Sequence, residues 1–305
     1  MAEIEKVDVV IVGGGMAGIA AALWGKRLDL QCVVLEQAER LGGQLHKIYN
    51  IIPDYPGLVC DGAGVVAQLE QQLNALEIVP RRNAEVLGVD WETKTIQCET
   101  GAIQAQALVV ATGLEQRRLG VAGSEPLLGK GVYLSYNGHK EAFAGRRACI
   151  VGGGDGAFEN AVMMAGVCPH VTIVYRGTSP RARRSFQEEV EQLPNVDVVY
   201  ESNVVRVNGE EGVSGVEIHG PTGSSVLDVD VVLVKLGMEP RTRWMGDQRP
   251  ECERGYLKVN ASQQTSIPWV WAVGDVCTPL DPSLSVAAGQ ACLAMRAIER
   301  ELCSV

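Results

Sequence analysis

The sequence has no apolar run approaching the ~18–20 residues that a membrane-spanning helix needs. Its opening, MAEIEKVDVV, lacks a basic head followed by a long apolar stretch, so no secretory leader is expected. Its nine cysteines are an odd number at long spacings, and no two stand as Cys-x-x-Cys. That is neither a secreted disulfide framework nor a zinc pattern, and no metal site is expected. Most read as small buried hydrophobes in a reducing compartment, so the expected location is the cytoplasm. Positive charge is also short: 27 Lys and Arg against 37 Asp and Glu leave a net charge of −10. This argues against a general nucleic-acid binder.

The 305 residues, 46% of them hydrophobic, suffice for two domains with real cores. The chain repeats one layout. VDVVIVGGGMAGIAAALWGKRLDLQCVVLEQ reads as strand, glycine turn, helix, strand, and RRACIVGGGDGAFENAVMMAGVCPHVTIVYRG reads the same way. Each copy is followed by short alternating segments typical of β-hairpins, then by a nearly continuous apolar strand closed by Gly113 or Gly237. The expected fold is α/β, with two doubly wound, Rossmann-like dinucleotide-binding domains, each carrying a small β-meander. The segment after Gly237 starts no third copy and most simply returns to the first domain. The division is therefore 1–118 plus 244–305 for the first domain, with 119–243 inserted as the second.

Gly13, Gly15 and Gly18 form G-x-G-x-x-G directly after a strand, and Glu36 ends the next strand. The first glycine allows the tight turn, the second a close approach of pyrophosphate, the third close packing of helix on strand. Free N–H groups and the helix dipole then favour the phosphates, and the carboxylate can accept from both ribose hydroxyls. In the second copy Gly152, Gly154 and Ala157 match G-x-G-x-x-A, but the following strand ends in Tyr175 and Arg176, with Arg181 soon after and no acid. Loss of the acid disfavours the ribose contact of NAD, and arginines suit a 2′-phosphate, so NADPH is preferred.

The motifs VVIVGGGMAG, GGQL at Gly42 to Leu45, DYPGL at Asp54 to Leu58, LVVATG and AVGDV at Ala272 to Val276 recur in this order in low-molecular-weight thioredoxin-reductase-like flavoproteins, which the chain resembles over essentially its whole length. The resemblance implies FAD in the first domain. It places Gly13, Gly15 and Gly18 at the pyrophosphate, Glu36 at the adenosine ribose, and Gly43 and Gln44 along the cofactor. Thr112 and Gly113 of LVVATG and Gly274 of AVGDV join the same site. Asp275 faces the ribityl chain, and the Val276 N–H lies near the flavin pyrimidine oxygen, where a donor stabilises reduced flavin. The resemblance also implies a homodimer.

Two departures stand out. The family's His-Arg-Arg phosphate motif appears here as Tyr175-Arg176-Gly177, which puts NADPH in doubt and leaves room for a second FAD. The family's Cys-x-x-Cys slot maps onto Ser135, Tyr136, Asn137 and Gly138, so no disulfide shuttles electrons there. His139, next in line, is a candidate proton donor, against the plainer reading of a hydrogen-bonded loop histidine. Tyr136 is a candidate for stacking on a cofactor ring or for simple packing. Cys277, next to the Gly-Asp-Val turn, is a candidate redox thiol with its pKa lowered by a nearby helix N-terminus.

The expected activity is an FAD-dependent oxidoreductase that is not a conventional thioredoxin reductase. It would exchange two electrons with NADPH and with a redox protein or a small thiol or quinone. The alternatives are a diflavin-linked disulfide oxidoreductase with FAD in the second site, and a flavin-binding sensor without turnover.

Overall fold

A computed structural model describes residues 4–280 and 282–303. The chain divides into two compact units, one made of residues 1–115 and 239–305, the other of 116–238. The crossings lie at 115/116 and 238/239, against 118/119 and 243/244 read from the sequence.

Unit 1 opens with β1 (Glu5–Val12), α1 (Met16–Arg27) and β2 (Cys32–Leu35), then α2 (Gly62–Ala75). The second half of β1, Val9 to Val12, is fully or nearly fully buried, as its unbroken apolar run requires. Asp61 caps α2 by accepting the Gly64 N–H at 2.9 Å. Next come β3 (Val86–Asp90), β4 (Thr95–Cys98) and the ten-residue β5 (Gly101–Val110). The meander is not a separate layer in this unit. β5 pairs antiparallel with β4 over Gly101 to Gln104 on one side, and parallel with β1 over Ile103 to Val110 on the other. β6 (Leu114–Gln116) leads out of the unit.

Unit 2 contains β7 (Val132–Tyr133), β8 (Ala148–Val151), α3 (Asp155–Ala165), β9 (Val171–Val174), α4 (Arg184–Glu191) and β10 (Val196–Val199). β11 (Asn203–Asn208), β12 (Gly215–Gly220) and β13 (Gly223–Leu227) form a separate antiparallel meander. β14 (Val231–Val234) returns to a five-stranded sheet of order β10-β9-β8-β14-β7, parallel throughout. β15 (Met238–Pro240) pairs with β6, so the outward and return crossings are hydrogen-bonded to each other.

The chain then completes unit 1 with β16 (Cys252–Glu253), β17 (Tyr256–Leu257), β18 (Val270–Ala272) and α5 (Leu284–Cys303). β18 lies parallel to β5, which gives a six-stranded sheet that runs β2-β1-β5-β4-β3 with β18 added at β5. One face of this sheet is closed by α1, α2 and α5, whose Ala287, Ala291, Ala294, Met295 and Ile298 join the core of α1 and β1. Among the described residues no helix is long and apolar enough to cross a membrane.

Candidate dinucleotide sites

In unit 1 the glycine turn joins β1 to α1. Gly13 has φ +110°, and a Cβ there would lie 2.4 Å from the Ala111 carbonyl oxygen. A Cβ at Gly18 would lie 1.8 Å from the Gly13 carbonyl oxygen, so α1 approaches the turn closely only because residue 18 lacks a side chain. Gly15 is the N-cap of α1, and a Cβ there would meet nothing within 4 Å. The space beyond the helix end is open, with first-turn N–H groups facing it, and it fits a pyrophosphate.

Glu36 is buried. Its carboxylate accepts the Gly14 N–H at 2.7 Å and the Ala38 N–H at 2.8 Å. Each carboxylate oxygen has a second acceptor direction, so this clamp leaves capacity for ribose hydroxyls. The Gly42 N–H donates to the Gly14 carbonyl at 2.8 Å, which lays the GGQL segment along the turn. There Gly43, with φ +52°, begins a short 3-10 helix. From it the Gln44 amide donates to Asp275 Oδ2 at 3.1 Å, across most of the sequence. Burial pushes the Asp275 carboxyl above its ordinary pKa.

Asp275 sits in a 3-10 turn, Gly274–Val276, after β18. The turn is held from α5: Gln290 Oε1 accepts the Gly274 N–H at 2.7 Å, and its amide donates to Thr278 Oγ1 at 2.9 Å. Val276 is fully buried. Thr112 has a structural task, since its hydroxyl donates to the Arg241 carbonyl at 2.7 Å. The Gly113 carbonyl accepts from the Arg241 N–H at 3.0 Å. These two residues fasten the returning chain to the end of β5.

Cys277 differs from expectation. Its thiol is buried, donates to the Ala272 and Gly274 carbonyls at 3.3 Å, and is pushed up to about 11 by burial. It closes the 3-10 turn rather than preceding a helix, so no helix N-terminus lowers its pKa. Native protein treated with iodoacetamide at pH 8 is expected to be labelled at exposed Cys303, and not at Cys277 or at Cys149, whose thiol burial pushes up to about 12. Peptide mass spectrometry reads this; prompt labelling of Cys277 would show that it is an accessible thiolate after all.

In unit 2 the corresponding turn joins β8 to α3. A Cβ at Gly152 would lie 2.3 Å from the Lys235 carbonyl oxygen, Gly154 is the open N-cap of α3, and Ala157 is buried. Tyr175, at the end of β9, lies across two glycines. A Cβ at Gly153 would sit 2.1 Å from its ring, and one at Gly177 would sit 2.7 Å from its hydroxyl. The missing arginine at 177 thus has a steric reason, because the tyrosine occupies that space. The Arg181 N–H donates to the Gly153 carbonyl at 2.7 Å and closes the loop over the turn. Arg183 is committed to Asp155 at 2.9 Å and Arg184 to Glu188 at 2.9 Å. Among the described residues Arg176 and Arg181 form no ion pair, and both are exposed.

The slot that lacks cysteines is a tight turn in unit 2. Tyr136 is 5% exposed and packs edge-on against Phe143 at 5.4 Å, so it belongs to the core and not to a cofactor face. His139 is exposed, its ring lies tilted against Tyr133 with centroids 4.8 Å apart, and its Nδ1 lies 3.1 Å from the Ser135 carbonyl. Sequence reasoning does not single out Lys235, which follows β14 and reaches the Leu134 carbonyl with its ammonium at 3.1 Å. The available signal is a lone charge ending an apolar strand.

The chain belongs to the pyridine nucleotide-disulphide oxidoreductase family, which it matches over residues 7–295. It is 28% identical to a "34.2 kDa protein in rubredoxin operon" of Clostridium pasteurianum, over 98% of each chain. It is 29% identical to a subunit of the alkyl hydroperoxide reductase of Pseudomonas aeruginosa over 94% of its own length, but spans only 56% of that protein. Thioredoxin reductase of Lactococcus lactis superposes with a TM-score of 0.79 at 24% identity, over 98% of this chain and 100% of that one, and shares the fold. The protein is therefore an oxidoreductase of thioredoxin-reductase fold, and family membership implies FAD and a nicotinamide dinucleotide as cofactors.

Proposed function

We propose that the protein is an FAD-dependent oxidoreductase that takes two electrons from NADPH, bound in unit 2, and passes them on without a disulfide in the usual slot. The observation that carries the donor is the pair of uncommitted arginines, Arg176 and Arg181, beside an open glycine turn. Two guanidinium groups there suit a ribose 2′-phosphate.

In unit 1, Gly13, Gly15, Gly18 and Glu36 would hold the pyrophosphate and adenosine ribose of FAD. Gly43, Gln44 and Gly274 would line the cofactor, Asp275 would hold the ribityl chain, and the Val276 N–H would face the flavin ring. When bound, the flavin supplies the two-electron chemistry. The chain's own contribution is to orient it and to place an N–H donor where reduction builds negative charge. His139 remains a candidate proton donor. The acceptor would be a small redox protein, thiol or quinone. The rubredoxin-operon relative supports the first of these. A homodimer in the cytoplasm is the expected setting.

Anaerobic titration of the purified holoprotein with NADPH tests the reading. Flavin absorbance is expected to bleach with about one equivalent. If excess NADPH leaves the flavin oxidised while dithionite bleaches it, NADPH is not the donor. A second FAD released on denaturation would then favour the diflavin reading. A single FAD with no electron transfer to any acceptor would favour the sensor.

A further inference from the structure

The two units end their central strands in equivalent ways. In unit 1 the residue after β5 is Ala111: its N–H donates to the Val12 carbonyl at 2.8 Å, and its own carbonyl lies under Gly13. In unit 2 the residue after β14 is Lys235: its N–H donates to the Val151 carbonyl at 2.8 Å, and its carbonyl lies under Gly152. One backbone position thus carries a methyl group in one unit and a long cation in the other.

The lysine stem does not turn away to solvent. It is half-buried, and its Cδ lies 3.9 Å from where a Cβ on Gly156 would stand, in the first turn of α3. The ammonium, two bonds further on, donates to the Leu134 carbonyl at 3.1 Å. The carboxylate of this turn, Asp155, is already matched by Arg183. Lys235 thus runs its stem along the first turn of α3, beside a glycine turn and helix end that favour an anion by themselves. A Cβ on Gly156 would make ordinary van der Waals contact with the stem.

We propose that Lys235 binds the pyrophosphate of the dinucleotide in unit 2. The inference rests on the reading of that turn as a dinucleotide site. It adds a contact from the strand end, apart from the arginines that would read the 2′-phosphate.

The test uses FAD-loaded protein and calorimetric binding of two compounds, NADP⁺ and 2′-AMP, the second of which has no pyrophosphate. Lys235→Met keeps an unbranched stem and removes the charge; Lys235→Arg restores it. Expected is a roughly tenfold or larger loss of NADP⁺ affinity in Lys235→Met, the scale of one charge-assisted hydrogen bond, with 2′-AMP binding unchanged and NADP⁺ binding recovered in Lys235→Arg. Equal losses for both compounds would assign the lysine a packing role and overturn the proposal. Unchanged NADP⁺ binding would overturn it alone. If the parent protein binds neither compound, the NADPH reading falls and this inference falls with it.

Discussion

Replacing Gly18 with alanine is expected to give a protein that purifies without flavin. The new Cβ would stand 1.8 Å from the Gly13 carbonyl oxygen, far inside any contact that real atoms make. The obstacle is backbone on both sides, so no side-chain rotation relieves it. Either α1 lifts from the end of β1 or the turn opens, and both moves spoil the N–H cradle. Overpacking of this kind costs about 1–3 kcal/mol or more, a fall of roughly several degrees in the melting temperature of a unit this size. Gly15→Ala is the control, since its Cβ enters open space: the fold should persist while flavin binding weakens. The ratio of flavin to protein absorbance and a thermal melt read both variants. Full flavin content and an unshifted melt for Gly18→Ala would show that the helix does not depend on that close approach.

The second large effect is expected at Asp275, with opposite signs in the two forms of the protein. Burial raises the folded carboxyl's pKa, so the folded chain holds that proton to higher pH than the unfolded chain does. The ligand-free protein therefore loses stability as pH rises from the unfolded pKa through the folded one, and the ionised group remains a penalty at neutral pH. Asp275→Asn removes the charge and keeps an acceptor for the Gln44 amide. Without flavin the variant should melt higher than the parent at pH 7, and the gap should close in acid, below the unfolded carboxylate pKa. With flavin the order should reverse. A neutral amide replaces a charge-assisted acceptor, at a cost of about tenfold in FAD affinity. Melts of both forms across pH would expose a wrong sign directly. A ligand-free variant less stable than the parent at pH 7 would mean that the carboxylate serves the fold rather than the cofactor.

Gly18 is visible to short-range pattern, whereas Asp275 is reached only through the resemblance that AVGDV carries. A glycine at 18 after a strand and an acid at 36 follow from local geometry, so a linear reading reaches them. The same holds for the second glycine turn and for the repetition of the layout. What the pattern hides is contact between distant segments. Gln44 meets Asp275 only because the returning β18 lies beside β5. In sequence Tyr175 reads as a ligand contact and Gly177 as a loss; in the fold the ring lies on residues 153 and 177 together. Cys277 reads as activated if the turn beside a cofactor is taken for a helix start; its depth and its two carbonyl acceptors reverse that. Lys235 escapes a linear reading because a strand's periodicity says where a chain is buried and says nothing about what its last side chain reaches.

The pairing of β18 with β5 bears on how the protein is made. During synthesis the chain emerges from its N-terminus, and domains tend to fold as they emerge. The unit that begins first cannot close first here. Its central strand waits for Val270 to Ala272, and its core waits for the alanine-rich face of α5. The contiguous unit 2 is complete when residue 238 has left the ribosome. Once folded, it presents its two exits as a hydrogen-bonded pair, β6 with β15. The entropy of closing so long a loop is then already met, because loop-closure cost depends on the free chain between the ends. Folding in this order would make the later-starting unit a clamp for the earlier one, and the proposed flavin site of unit 1 would be completed last.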